Sequence, residues 1–146
     1  MLISILYLIN CQIPDTRPDP KFLALDELSR KEKLGKISGK VLKKLFKVVI
    51  DDTLYEISCV YDYVDYLKDQ IKRLELIEKY DIKLKSSNKE KTINYYKEGI
   101  RLLLQEGETY ENYSQILQEY RDALDLRQNV IKKLYAEIKI IKKLQV

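Results

Sequence analysis

The chain has 146 residues, 45% hydrophobic and 34% charged, with a net charge of +4. That is enough for one folded domain, too charged for an integral membrane bundle and too apolar for a disordered tail. With no histidine, no tryptophan and only two cysteines, histidine acid–base catalysis, Ser-His-Asp or Cys-His nucleophile systems and the common zinc sites lack their base or ligand. The expectation is therefore a protein that is not an enzyme and holds no metal or cofactor.

The first ten residues open with an uncharged apolar run, Met1 to Ile9. It is too short for a transmembrane helix, which needs roughly 20 residues, and matches the apolar core of a secretory signal. Leu8-Ile9-Asn10-Cys11 follows the relaxed lipobox of bacterial lipoproteins, with leucine three positions before the cysteine that is acylated. No Lys or Arg precedes Arg17, where the pattern has a basic start. The alternative is an apolar strand or helical turn of a cytosolic protein, with Cys11 an ordinary thiol. Residues 11–19 form a proline-rich tether, since Pro14, Pro18 and Pro20 oppose helix and extend their predecessors.

Residues 20–146 read as a single all-α domain, a long antiparallel helical hairpin or a three- to four-helix bundle with heptad packing. Asp19-Pro20 is a good helix start, and Phe22, Leu25 and Leu28 share a face of a helix over about 20–34, which Gly35 ends. The second helix spans about 38–83. In it Ile57, Val60, Val64, Leu67, Ile71 and Leu74 recur at alternating spacings of three and four, continued upstream through Thr53, Val49, Leu45 and Leu42. Lys83 to Lys91 is the natural turn, where Ser87 and Glu90 make a candidate capping box.

A third helix over about 89–106 carries Ile93, Tyr96, Ile100 and Leu103. A fourth over about 108–144 carries the longest seam: Tyr110, Tyr113, Leu117, Tyr120, Leu124, Arg127, Ile131, Leu134, Ile138 and Ile141. The two series slip in phase at Gly107, and we expect a kink in one continuous helix there. Arg127, the charged member of this seam, is expected to snorkel to an edge or pair with an acid. Seam tyrosines should fill space between helices with the hydroxyl reaching water or a partner. Tyr61, Tyr63 and Tyr66 flank the seam and form a candidate protein-contact patch. Cys59, beside the seam, is expected to be a half-buried thiol.

Charge falls in blocks. Residues 21–47 hold nine basic and three acidic groups, and residues 127–146 six and one. Folded at about residue 87, the hairpin lays these two stretches side by side near the tether. Lys40, Lys43, Lys44 and Lys47 on one helix, and Lys132, Lys133, Lys139, Lys142 and Lys143 on the other, then form either a solvated face or a basic patch for a polyanion or anionic lipid headgroups. Sequence-specific nucleic-acid binding is not expected, because arginine is scarce and no reading motif is present. Asp51, Asp52, Asp62, Asp65 and Asp69 crowd one stretch without the glycine loops or clustered ligands of a catalytic site.

The lipobox-like Leu8 to Cys11, the short tether and the histidine-free, lysine- and tyrosine-rich helical body together resemble the surface lipoproteins of spirochaetes, the borrelial ones in particular. The resemblance implies a non-enzymatic protein anchored by lipid at Cys11 in the outer membrane or at the cell surface. It also implies a body that binds a host protein, a glycosaminoglycan or a neighbouring membrane protein, with self-association as a further expectation. The alternative from the residues themselves is an intracellular coiled-coil or helical-bundle scaffold, or a chaperone-like adaptor.

Overall fold

The helix boundaries follow local chemistry that is visible in a computed structural model, which describes residues 20–145. The signal-like segment 1–10, the tether 11–19, Cys11 and the Asp19 cap lie outside the described residues. Within them the chain is all-α, with four helices and no strand: α1 (Pro20–Lys33), α2 (Gly39–Ser86), α3 (Glu90–Leu103) and α4 (Tyr113–Leu144). No helix among the described residues is long and apolar enough to cross a membrane.

Helix α1 ends where Gly35 takes φ +72°, a left-handed conformation that glycine adopts without a Cβ penalty. The Lys36 N–H donates to the Lys31 carbonyl and the Gly35 N–H to the Glu32 carbonyl, the paired bonds of a Schellman stop. Ser38 then starts α2, its Oγ accepting the Val41 N–H at 3.2 Å.

Two expectations at later boundaries need correction. Ser87 does not cap α3: the residue before the helix is Lys89, in extended conformation and making no side-chain cap. Nor is there one kinked helix at Gly107. Helix α3 ends at Leu103, short of 106, and α4 begins at Tyr113 rather than 108. The break has a local cause. Gly107 takes φ +83°, and Thr109 with Asn112 forms a reciprocal box: the Asn112 N–H donates to Thr109 Oγ1 at 3.2 Å and the Thr109 N–H to Asn112 Oδ1 at 2.7 Å. This satisfies amides that a fresh helix start leaves unpaired.

The helices pack as two compact units, divided at residues 61/62 and 128/129. In the first unit α1 lies against the start of α2 and the end of α4, with Leu25, Phe46 and Ile141 fully buried together. In the second, Ile71, Leu74 and Ile77 of α2 meet Ile100 of α3 and Ile116 and Leu117 of α4. Burying such a side chain contributes about 1.5–3 kcal/mol. The heptad positions Ile57, Val60, Val64, Leu67, Ile71 and Leu74 are all buried, as are Ile131, Leu134, Ile138 and Ile141. In the first unit Phe46 packs with Ile141 and Tyr61 bonds Tyr135, and in the second Tyr63 lies under Arg127 while Asp81 accepts from Tyr113, so within each unit α2 and α4 run antiparallel.

Candidate functional site

The nine lysines of the expected basic patch are all exposed, and none forms an ion pair among the described residues. Lys40, Lys43, Lys44 and Lys47 stand on the first turns of α2; the other five stand on the last turns of α4. Burial of Phe46 against Ile141 brings these turns side by side in the first unit. There Lys43 and Lys142 line one groove of about 440 Å³ with Leu42 and Phe46. Two cations facing one groove repel each other unless an anion or salt screens them, and this favours a negatively charged occupant.

A buried polar cluster underpins this face. Lys21 of α1 reaches Glu137 of α4 at 2.5 Å and donates to the Thr53 hydroxyl of α2 at 3.4 Å. That hydroxyl donates in turn to the Val49 carbonyl at 2.9 Å. The cluster ties three helices together, and Glu137 is the one acid among residues 127–146. An acid alone in a lysine-rich stretch was the signal for it in the sequence.

The three tyrosines of the expected contact patch have separate duties. Tyr61 is exposed, and its hydroxyl bonds that of Tyr135 in the first unit, which raises the ionisation of Tyr135. In the second unit Tyr63 is half-buried and stacks with Tyr66 at a centroid distance of 5.9 Å. The Arg127 guanidinium lies 5.0 Å over the Tyr63 ring. Tyr66 bonds Tyr120, whose ionisation is pushed up to about 12, chiefly by burial and then by Tyr66. Tyr63 thus carries a buried cation on its ring, while Tyr61 and Tyr66 remain exposed. Arg127 itself is buried, and desolvation lowers its pKa to about 10. Cys59 is exposed, not half-buried.

Polar groups that the sequence did not single out hold the segment between α3 and α4. Asp81 is buried and accepts hydrogen bonds from Tyr113 at 2.7 Å and from Tyr110, with Lys85 3.2 Å away. Burial works to raise its pKa, but the two phenols and Lys85 together outweigh it and hold the carboxyl below its usual range. The same contacts and burial raise the ionisation of Tyr113 and Tyr110.

Asp51, Asp52, Asp62, Asp65 and Asp69 are all exposed. No three His, Cys, Asp or Glu side chains are grouped to hold a metal among the described residues. No protein-family model matches the chain, and neither does any curated protein or solved structure.

Proposed function

We propose that this chain is a non-enzymatic bacterial surface protein, held to the membrane by a lipid on Cys11, whose helical body binds an anionic host macromolecule. The observation that carries the binding half is the pairing of two lysine-bearing helix ends in one unit, with Lys43 and Lys142 on a shared groove. Exposed, unneutralised ammonium groups on a rigid helical frame suit a sulfated glycan or an acidic protein surface, whose charge they complement without an ordered pocket. The anchor rests on Leu8 to Cys11 and on the resemblance this motif supports.

The test reverses Lys40, Lys43, Lys44 and Lys47 to glutamate and measures retention on immobilised heparin across a salt gradient, with anionic vesicles as a parallel arm. Elution at lower salt from heparin supports the reading. Unchanged retention on heparin overturns it, and a loss confined to vesicles moves the site to lipid headgroups. Mass analysis of Cys11 and detergent partitioning test the anchor separately.

A second reading, the helical scaffold, is favoured by Val41, Val48 and Tyr55, which are exposed one heptad apart on α2. Sedimentation of wild type and Val48→Lys decides it, since a scaffold that pairs through this stripe falls from oligomer to monomer in the variant.

A further inference from the structure

The second unit contains a groove unrelated to the lysines above. It is about 410 Å³ in volume and is walled by Leu84 of α2, Ile100 of α3, and Leu104 and Tyr110 of the connecting segment, with Lys97 and Arg101 at its rim. That volume lies within the roughly 300–1,000 Å³ typical of small-ligand sites.

The floor makes no hydrogen-bonding demand. The Tyr110 hydroxyl is committed to Asp81, and the Leu104 N–H donates to the Ile100 carbonyl at 3.1 Å. What remains facing the groove is hydrocarbon and an aromatic ring. The walls are also fixed in advance. Asp81 anchors Tyr110, while Arg73 grips the Leu103 carbonyl at 2.9 Å just before Leu104. A preformed apolar groove binds hydrocarbon without first having to order itself.

The rim sets the charge of the occupant. Lys97 and Arg101 are one helical turn apart and both exposed. Arg101 is held by Glu98 at 2.5 Å, and the Asp81 carboxylate behind Tyr110 is matched by Lys85. Lys97 forms no ion pair among the described residues, which leaves one unmatched positive charge over an apolar floor. We infer that this groove binds a single-chain amphiphile with a monoanionic head, of the fatty-carboxylate class, its tail against Leu84, Ile100, Leu104 and Tyr110 and its head at Lys97.

The test is calorimetric titration of the full chain with octanoate, decanoate and dodecanoate below their micelle thresholds, with dodecanol and dodecyltrimethylammonium for comparison. One saturable site per chain is expected, tightening about fourfold per added methylene. Dodecanoate should bind better than the neutral and cationic analogues. Lys97→Glu, at an exposed position, should keep the helical circular dichroism and weaken dodecanoate about fivefold while leaving dodecanol unchanged. Leu104→Gln should weaken both.

Absence of saturable binding, equal affinity for the cationic analogue, or indifference of dodecanoate to Lys97→Glu overturns the proposal. So does a change of oligomeric state in Lys97→Glu, which marks a second copy as the occupant. Variants of the nine lysines in the first unit leave this binding unchanged, so its failure and that of the glycan reading are separable.

Discussion

Arg73 and Glu108, 35 residues apart in the chain, face each other through two hydrogen bonds of 2.6 Å each. Both side chains are largely shielded from water. Arg73 also donates to the Leu103 carbonyl, the last of α3, and Glu108 Oε1 accepts the Gln105 N–H at 2.8 Å. One bidentate pair thus closes the C-terminus of α3 and fixes the segment that follows. Removing one partner strands a buried charge. Arg73→Met is expected to cost about 3 kcal/mol in urea unfolding, and the double variant Arg73→Met/Glu108→Leu less than the sum of the singles. Additive losses sink the pairing.

Acid should loosen the same region. Burial works to raise the pKa of Glu108, but Arg73 and the Gln105 amide hold it below its ordinary value of 4.5, and Asp81 likewise lies below 3.8. In unfolded chains these carboxyls take up protons first. Their stabilising contribution is therefore complete above about pH 5 and is lost as pH falls through the depressed folded values. Urea midpoints measured from pH 7 to pH 2 should drop below pH 5, and Asp81→Asn should flatten that drop. A midpoint independent of pH over this range excludes the mechanism.

The heptads were legible because burial on one face of a long helix repeats at every turn: Ile57 through Leu74 and Ile131 through Ile141 are where the spacing puts them. The sites that escaped are those where one pair of residues distant in sequence decides the outcome. Nothing in the spacing around Arg73 names Glu108, and although Asp81 falls one heptad after Leu74 on the seam face, the spacing does not name Tyr110 and Tyr113 as its partners. The lysine faces were readable from charge alone. The groove beneath Tyr110 was not, because it exists only once α3 stops at Leu103.

Capping chemistry was readable in principle but was assigned to the wrong place. Ser87 precedes Glu90 by three residues, as a capping box requires, yet the working box is Thr109 with Asn112. Thr109→Ala should therefore cost about 1 kcal/mol, and Ser87→Ala should change stability by less than about 0.5 kcal/mol. Thermal melts of the two variants side by side check this. The reverse order of losses contradicts the assigned helix starts.

Gly99 is needed for space, since a Cβ there would meet the Tyr80 ring at 3.1 Å. Tyr80 also packs against Tyr96, with centroids 5.6 Å apart, which limits how far the ring can retreat. Alanine gains about 1 kcal/mol of helix propensity and spends it displacing the ring, so Gly99→Ala should be close to neutral. Gly99→Val adds bulk with no such gain and should destabilise by about 2 kcal/mol. Denaturant midpoints of both variants measure this, and a Val variant as stable as wild type shows that the ring moves freely.

Arg127 occupies a seam position that its neighbours Leu124 and Ile131 fill with hydrocarbon. It is 6% exposed, and the desolvation that lowers its pKa to about 10 is a cost carried at neutral pH. Its guanidinium recovers part of that cost over the Tyr63 ring. Leucine fills similar space without the charge, so Arg127→Leu should raise the melting temperature, by the equivalent of about 1 kcal/mol. Arg127→Ala should lower it, because a cavity replaces the long side chain. The arginine keeps an alternative advantage, since a buried charge whose partners are met in one register permits fewer sliding registers between α2 and α4 than a uniform leucine seam. Amide exchange along residues 113–144 should therefore become less uniform in Arg127→Leu even as the melt rises. A leucine variant that melts lower than wild type places the net contribution of Arg127 on the stabilising side and overturns this account.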